Sequence, residues 1–316
     1  MLKHLVGTFR PIPKKNNFNH MDTGEGSYLK LLDDILKEGD PREDRTGIGT
    51  LSLFGVDLRF DLSSGRFPLL TTKKVFFRGV VEELLWMLRG ETDAKILHDK
   101  GVKIWDGNST DTSYLERTGN PPYSIGPGYG FQLRNFGGSY GDESKESLEG
   151  VDQLKRVLHQ LSHDRTSRRI MWTYCNPLQE HMMCLPPCHY SYQYYVKNNT
   201  LHCLMTQRSA DIFLGTPFNI ASTALLVHIL AYVSGLRVGE IKISMGDAHI
   251  YKNHVEQSRL QCSRIPYPFP TLSITKVIAK DSSLDDKINF IESLTFTDFQ
   301  LTDYKHHGTI KAKMAV

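Results

Sequence analysis

Residues 185–190, LPPCHY, place one thiol directly after two prolines and directly before a histidine. Pro186 and Pro187 fix the local backbone and lack N–H donors, which suits a rigidly positioned side chain better than a core filler. A thiol becomes a nucleophile when a nearby cation or base stabilises its thiolate. Successive side chains of an extended segment point to opposite faces, so we expect His189 to face away from any cavity that Cys188 faces. The pattern therefore predicts that the activating cation is an arginine from elsewhere in the chain.

Four arginines in three motifs are candidates for that cation and for a phosphate site. Arg45 lies in EDRTGIGT, Arg168 and Arg169 lie at the start of a predicted strand, and Arg208 precedes Ser209. Guanidinium groups bind phosphate through paired hydrogen bonds, although each arginine alone fits a solvated surface charge equally well. Neighbours on a strand face opposite ways, so Arg168 and Arg169 reach one phosphate together only if a second chain contributes.

Two adjacent glutamates lie in the helix that apolar periodicity predicts over 75–88. Glu82 has Arg78 four residues earlier, a spacing typical of an exposed ion pair. Glu83 has apolar helical neighbours, an environment that raises the pKa of a carboxyl group and lets it relay protons near neutral pH. A glutamate at the solvent edge of the apolar face fits the pattern equally well.

Two further groups are candidates for ligand recognition. Asn219 precedes an apolar helix predicted over 221–236, and its amide fits either a helix N-cap or the edge of a heterocycle. Asp247, His249 and Tyr251 share one face of a predicted strand, which fits a hydroxyl-rich ligand or a solvated sheet face. Neither metal-ligand spacing nor a glycine fingerprint for phosphate or dinucleotide is present, so no metal is expected.

The predicted strands and helices that carry these residues do not alternate regularly along the chain. This order predicts an α+β fold with a large mixed or mainly antiparallel β-sheet flanked by helices. Residues 28–316 are expected to form one domain, with 107–150 mostly loop. Residues 1–27, basic and without an acidic residue in the first 20 positions, are expected to form a flexible tail.

Composition narrows the class of protein. No apolar run approaches the roughly 18 residues that span a bilayer, and the cysteines form no CxxC pair, so we expect a soluble, cytoplasmic protein with reduced thiols and no membrane partner. A formal net charge of +3 does not by itself imply a nucleic-acid partner. The basic tail and the arginines still leave an RNA-binding regulator as an alternative from a different class.

Six segments, in order along the chain, resemble the thymidylate synthase family: DRTGIGT, FPLLTTKKVFFRGVVEELLW, IWD, LPPCH, QRSADIFLGTPFNIAS and GDAHIYKNH. The resemblance runs from about Ser27 to Val316. It implies a homodimer whose subunits pack sheet against sheet, and reductive methylation of dUMP to dTMP with 5,10-methylenetetrahydrofolate as co-substrate. A dUMP hydroxymethylase on the same fold is the alternative.

The resemblance also assigns residues to roles. The residues it implies for catalysis are Cys188, Glu83, Tyr129, Arg208, Asp211 and Asn219. Those it implies for binding dUMP are Arg45, Arg168, Arg169, Gln207, Arg208, Ser209, Asn219, His249 and Tyr251, with Arg168 and Arg169 contributed by the partner subunit. Those it implies for the folate are Lys73, Trp105, Asp211, Gly215, Phe218 and Val316.

The chain departs from the family pattern at several places. Gly128 and Leu133 replace valine and tryptophan in GPGYGFQLR, Cys175 replaces tryptophan, and YKHHG over 304–308 lacks two prolines. Gly128 is expected to loosen the pocket, and His306 and Gly308 to make the closing segment more mobile. Lower folate affinity or slower closure is therefore expected, rather than loss of activity.

Overall fold

The computed structural model describes residues 24–63, 65–141 and 149–314. Its centre is a six-stranded sheet in the spatial order β1-β2-β6-β5-β4-β3. These strands are β1 Asp40–Arg42, β2 Thr50–Asp61, β3 Met171–Thr173, β4 His189–Lys197, β5 Thr200–Asp211 and β6 Arg237–Tyr251. Strands β5 and β6 are parallel and the other neighbours antiparallel, which confirms the predicted mixed sheet. A separate antiparallel pair contains β7 Thr271–Ile274 and β8 Phe299–Thr302.

Helices flank the main sheet. In chain order they are α1 Glu25–Glu38, α2 Phe77–Leu88, α3 Lys95–Asp99, α4 Asp106–Ser109, α5 Thr112–Thr118, α6 Tyr129–Arg134, α7 Gln153–His163, α8 Gly215–Val233, α9 Val255–Cys262 and α10 Leu284–Glu292. Helix α8 lies against β5 and β6, and its side chains are buried nearly all round, as its apolar composition predicted.

Helix α8 begins earlier than its apolar run suggested. Its first residue is Gly215, so Asn219 lies inside the helix and the N-cap interpretation of Asn219 is wrong. The Oδ1 atom of Asp211 instead accepts the N–H groups of Phe213 and Leu214 just before the helix. By length and composition α8 could cross a membrane, contrary to expectation, but 78% of its most apolar stretch is buried inside the fold. Core burial therefore accounts for its composition.

The sheet brings the candidate residues to one edge. Cys188 immediately precedes β4, where His189 pairs with Gln207 of antiparallel β5 and a bulge follows between His189 and Ser191. Strands β5 and β6 run parallel, so Asp211 and His249 are register partners near their shared carboxyl ends. The start of β4 and the ends of β5 and β6 therefore lie at the same edge.

Three expectations about segments need revision. Residues 107–150 were expected to be mostly loop outside a short ordered piece at 126–136, which contains α6, yet they also contain α5, with Asp111 capping α5 through the Tyr114 N–H. Arg168 and Arg169 precede β3 instead of starting it, so strand alternation does not decide where they point. Helix α1 begins at Glu25, within the segment assigned to the tail. Residues 1–23 lie outside the described part of the chain.

Candidate active site

The guanidinium of Arg208 connects β5 to the segment that carries the thiol. Its Nε donates to the carbonyl oxygen of Pro187 at 3.0 Å, and its Nη2 donates to that of Pro186 at 2.7 Å. Nη2 also lies 3.8 Å from Sγ of Cys188. The backbone N–H of Arg208 donates to the Cys188 carbonyl oxygen at 2.8 Å. The structure therefore places a cation from another strand beside the thiol, as predicted.

The surroundings of Cys188 act on its pKa in opposite directions. The thiol is half-buried, and desolvation raises its pKa, while the positive charge of Arg208 lowers it without cancelling the rise. Burial penalises the charged thiolate, and a guanidinium at this distance favours it. Without ligand the thiol form is therefore the resting state, and Arg208 is the group that makes the thiolate accessible.

His189 follows the thiol in the chain, and its ring is buried against two tyrosines. Its ring stacks on Tyr129 with centroids 4.4 Å apart, and its Nδ1 lies 3.1 Å from the Tyr192 hydroxyl oxygen. Burial lowers the pKa of His189 to about 4. The imidazole is therefore neutral near pH 7. Tyr129 in turn accepts the backbone N–H of Cys188 at 2.8 Å through its hydroxyl oxygen.

The two adjacent glutamates of α2 differ, but not as the sequence pattern suggested. Glu82 is buried and pairs with Lys100 at 2.6 Å, so the predicted exposed pair with Arg78 is wrong. Glu83 keeps part of its surface accessible and accepts the indole N–H of Trp105 at 2.9 Å. Desolvation raises the pKa of Glu83 to about 7, although the Trp105 hydrogen bond lowers it. The raised pKa agrees with the apolar environment that was one of the two interpretations, while the partial exposure agrees with the other.

Asn219 is oriented by a neighbour on β5. The Gln207 Nε2 donates to Asn219 Oδ1 at 3.1 Å, which leaves the Asn219 Nδ2 atom as a donor for another partner. The buried Oε1 of Gln207 has no hydrogen-bond partner among the described residues, and such an atom is normally satisfied by ligand or water. A Cβ on Gly215 would lie 3.6 Å from the Asp211 Cβ and 3.9 Å from Asn219 Oδ1, so glycine keeps that space open.

The polar face of β6 is held by two residues that sequence reasoning missed. Asp247 accepts from Ser52 at 3.0 Å and from Arg42 at 2.9 Å. The same carboxylate lies 3.0 Å from Nδ1 of buried His249. A neutral His249 that donates from Nδ1 presents Nε2 as an acceptor. The cross-strand pairing of β2 with β6, which brings Ser52 opposite His249, has no local sequence signal.

The remaining predicted site residues occupy diverse environments. Arg45, Arg168 and Arg169 are exposed, while Ser209 and Phe218 are partly buried. Lys73 is buried over the Phe213 ring, 3.7 Å from its centroid, and donates to the Phe213 carbonyl oxygen.

Desolvation lowers the pKa of Lys73 to about 8, against the raising effect of Asp211. Tyr251 lies against His249 with ring centroids 5.1 Å apart, and burial raises the pKa of Tyr251 to about 12. Val316 lies outside the described residues.

The structure gives physical reasons for two departures from the family pattern. A Cβ at Gly128 would lie 2.6 Å from Cδ1 of Ile125, so Ile125 already fills the space that a larger residue would need. Gly308 has φ of 83°, which proline cannot adopt. The segment around it remains anchored, because the Lys74 N–H donates to the Gly308 carbonyl and His307 stacks on Tyr267 at 4.7 Å.

Within the described ranges, no three His, Cys, Asp or Glu side chains are grouped closely enough to hold a metal ion. The groups at this edge that can take part in chemistry are a thiol, an adjacent guanidinium, a carboxyl group of raised pKa and an oriented amide. These groups on a mixed sheet define a site of the thiol-nucleophile class.

Comparisons with known proteins identify the family. The thymidylate synthase family model matches residues 26–316. The chain is 46% identical over 297 residues to thymidylate synthase of Homo sapiens, covering 93% of this chain and 91% of that protein. It is 49% identical over 296 residues to the bifunctional dihydrofolate reductase-thymidylate synthase of Paramecium tetraurelia, covering 92% of this chain. The chain belongs to the thymidylate synthase family.

The relatives differ in length. The chain spans 61% of the Paramecium protein and 55% of the bifunctional dihydrofolate reductase-thymidylate synthase of Leishmania major, to which it is 47% identical. It spans 95% of the thymidylate synthase of varicella-zoster virus (strain Dumas), at 46% identity over 300 residues. None of these relatives and no family match supports the hydroxymethylase alternative.

Proposed function

We propose that the protein is a thymidylate synthase, a methyltransferase that converts dUMP to dTMP with 5,10-methylenetetrahydrofolate and releases dihydrofolate. The observation that carries the proposal is the fixed pair of Cys188 and Arg208, 3.8 Å apart at the edge where the candidate residues meet. Family membership over residues 26–316 supports it.

In this proposal the Cys188 sulfur adds to C6 of the uracil ring. Arg208 stabilises the thiolate that makes the attack, and the addition leaves C5 electron-rich. Asn219 Nδ2 donates to O4 of the base, and Asn219 Oδ1, already bonded to Gln207, accepts from N3–H with its second lone pair. Glu83, with a pKa of about 7, holds or releases a proton through water at the base.

The folate side of the site is assigned to Trp105, Asp211, Gly215, Phe218, Lys73 and Val316. When bound, methylenetetrahydrofolate supplies the one-carbon unit and the hydride. The open space at Gly215 supports a ligand at this position. Trp105 would offer an aromatic wall while its N–H remains bound to Glu83. Asp211 Oδ2 would accept from the ligand, because Oδ1 is used by the helix start.

The nucleotide's other groups have matching partners. Arg45, Arg208 and Ser209 are assigned to the phosphate, and His249 and Tyr251 to the ribose 3′-hydroxyl. The hydrogen bond of Asp247 to His249 supports the last assignment, because it leaves Nε2 to accept from a hydroxyl group.

A second copy of the chain completes the proposed phosphate site. Arg168 and Arg169 are assigned to the partner's nucleotide in a homodimer packed sheet against sheet. Both are exposed, and neither forms an ion pair with an acidic side chain in the described part of the chain, which supports a role toward another molecule. All five cysteines are free thiols, which supports a reducing, cytoplasmic location.

The test is a reaction with dUMP and methylenetetrahydrofolate, followed by the absorbance of dihydrofolate and by mass analysis of the nucleotide. We expect dTMP, and Cys188→Ala is expected to slow its formation at least about 10³-fold. Cys184→Ala, a nearby thiol whose pKa burial raises to about 12, is the matched control. Hydroxymethyl-dUMP as the product, or an active Cys188→Ala variant, would overturn the proposal.

A further inference from the structure

A cavity of about 250 Å³ lies between three segments beside the candidate active site. The turn of Arg45 forms one side, helix α5 forms another through Asp111 and Tyr114, and Leu185 and Pro186 form the third. Pro186 is also an acceptor for Arg208. The cavity therefore adjoins the thiol site, and three charged side chains line it: Arg45, Arg117 and the acidic Asp111.

Asp111 is held in place by the helix that it caps. Its Oδ1 accepts the Tyr114 N–H at 2.9 Å and the Ser113 hydroxyl at 2.5 Å. The Ser113 hydrogen bond is the largest of the effects that lower the pKa of Asp111, and the charge of Arg45 adds a smaller one. Asp111 is therefore a fixed negative charge at neutral pH.

Helix α5 is anchored to the segment that leads to the nucleophile. The Arg117 guanidinium donates to the carbonyl oxygens of His181 and Met183. These bonds occupy Arg117 with backbone acceptors and fix α5, and with it Asp111, relative to the Cys188 segment. Arg117 is thus a structural cation, which leaves Arg45 as the cation that Asp111 can influence.

The turn that carries Arg45 is ordered while the Arg45 side chain is exposed. Asp44 accepts from the Gly49 N–H at 2.8 Å and from the Thr46 N–H at 2.9 Å. Among the described residues, no acidic side chain lies within ion-pair distance of the Arg45 guanidinium. Arg45 and Asp111 therefore face the same cavity without a direct ion pair. The Arg45 side chain can move either toward Asp111 or toward another anion.

We propose that Asp111 is a positioning residue that attracts Arg45 across the cavity, toward α5, and competes with the nucleotide phosphate for it. The proposal rests on the proposed function, in which Arg45 binds the phosphate of dUMP. The Asp111 carboxylate therefore lowers the affinity for the nucleotide, and its own attraction to Arg45 sets the size of this effect. Exposed pairs of this kind are weak, so the effect on the dissociation constant is about 2- to 5-fold.

The test uses the Asp111→Asn variant, which removes the negative charge of Asp111 and keeps a good N-cap for α5. Glu116→Gln is the matched control, because it removes an exposed negative charge from α5 at a position that does not line the cavity. The dissociation constants of dUMP and deoxyuridine are measured for each. We expect Asp111→Asn to bind dUMP about 2- to 5-fold more tightly, with deoxyuridine unchanged and the gain lost at high salt.

A double-mutant cycle with Arg45→Gln separates charge competition from a structural effect. In the Arg45→Gln background, Asp111→Asn is expected to leave dUMP affinity unchanged, and any helix destabilisation cancels in this comparison. Unaltered dUMP affinity in the single variant, equal gains with Glu116→Gln, or a gain that persists without Arg45 would each overturn the proposal. Absence of dUMP binding by the parent protein would instead overturn the proposed function.

Discussion

Nη2 of Arg208 lies 3.8 Å from Sγ of Cys188 while the same guanidinium donates to the carbonyl oxygens of Pro186 and Pro187. The two prolines therefore act on both members of the pair. They stiffen the backbone before the thiol, and their carbonyl groups fix the cation that acts on it. The pair is preorganised, so the thiolate gains its counter-charge without rearrangement of the protein.

Arg208→Gln is expected to raise the pKa of the Cys188 thiol. Losing an opposite charge at this distance shifts a pKa by about 1 unit, so alkylation of Cys188 at neutral pH should slow about 10-fold. Peptide mass spectrometry follows the modification of Cys188, in a Cys175→Ser background because Cys175 is also exposed.

Arg208→Lys should give an intermediate rate, because lysine keeps the charge but cannot donate to both proline carbonyls from a planar group. Arg237→Gln, which removes an exposed guanidinium that donates to the Asn198 carbonyl oxygen, is the control and should leave the rate unchanged. An alkylation profile of Arg208→Gln that coincides with the parent's would contradict the role of this charge.

The free energy of unfolding of the Glu83→Gln variant is expected to rise relative to that of the parent protein as pH increases. The pKa of Glu83 is raised from 4.5 in the unfolded chain to about 7 in the folded protein. The folded state therefore holds a proton that the unfolded state has released, and this stabilisation is lost as pH rises from about 4.5 to 7.

One pKa unit corresponds to about 1.4 kcal/mol. The difference in free energy of unfolding between the variant and the parent should therefore change by roughly 3 kcal/mol over this pH window. Urea unfolding at pH 5 and pH 7.5 measures it. Trp105→Phe should move the window to higher pH, because the indole N–H donor that lowers the pKa of Glu83 is lost. A pH-independent difference between Glu83→Gln and the parent would refute the assigned pKa.

His189→Phe is expected to reduce stability without changing the reactivity of Cys188. The phenyl ring can stack on Tyr129, but the Tyr192 hydroxyl loses its partner, which costs about 1–3 kcal/mol. The pKa of His189 is lowered to about 4 by burial. The parent therefore loses stability as pH falls from about 6.5 to 4, and the variant lacks that loss.

Chemical unfolding between pH 4 and 7 measures the stability, and alkylation of Cys188 across pH measures thiol reactivity. His189→Gln, which can still bond to the Tyr192 hydroxyl but cannot stack, separates the two contributions. A shifted alkylation profile in His189→Phe would show that His189 acts as the base for the thiol.

The sequence alone was sufficient to predict features that depend on a single helix or strand. Apolar neighbours on its own helix are enough to indicate a raised pKa for Glu83, and strand alternation is enough to predict that His189 faces away from Cys188. The same logic failed at Glu82, because Lys100 comes from beyond the helix and its approach has no signal in residues 75–88. It failed at Asn219 because α8 extends through Gly215 and Pro217 before the apolar run begins.

Pairings between distant strands could not be predicted from residue pattern. Asp247 connects His249 of β6 with Ser52 of β2 and with Arg42, and this register is set by the whole sheet. Arg168 and Arg169 were predicted to start a strand, but that strand is only three residues long and begins after them. A short strand has too few alternating positions to fix its own bounds.

Gly128→Val is expected to destabilise the protein instead of tightening its pocket. The new Cβ would lie 2.6 Å from Cδ1 and 3.2 Å from Cγ1 of Ile125, a side chain only 1% exposed. Overpacking of this kind costs about 1–3 kcal/mol, measured by urea unfolding. Ile125→Val removes the closest atom, so the double variant should regain most of the loss, with a favourable coupling of the two changes.

The same pair of variants tests the expectation that Gly128 weakens folate binding. Because Ile125 already occupies the space beside Gly128, the double variant should change the Michaelis constant for methylenetetrahydrofolate by less than about 2-fold, well under 1 kcal/mol. Ile125→Val alone is the control for the lost methyl group. A much lower Michaelis constant in the double variant, at unchanged stability, would show that Gly128 does leave the folate side of the pocket loose.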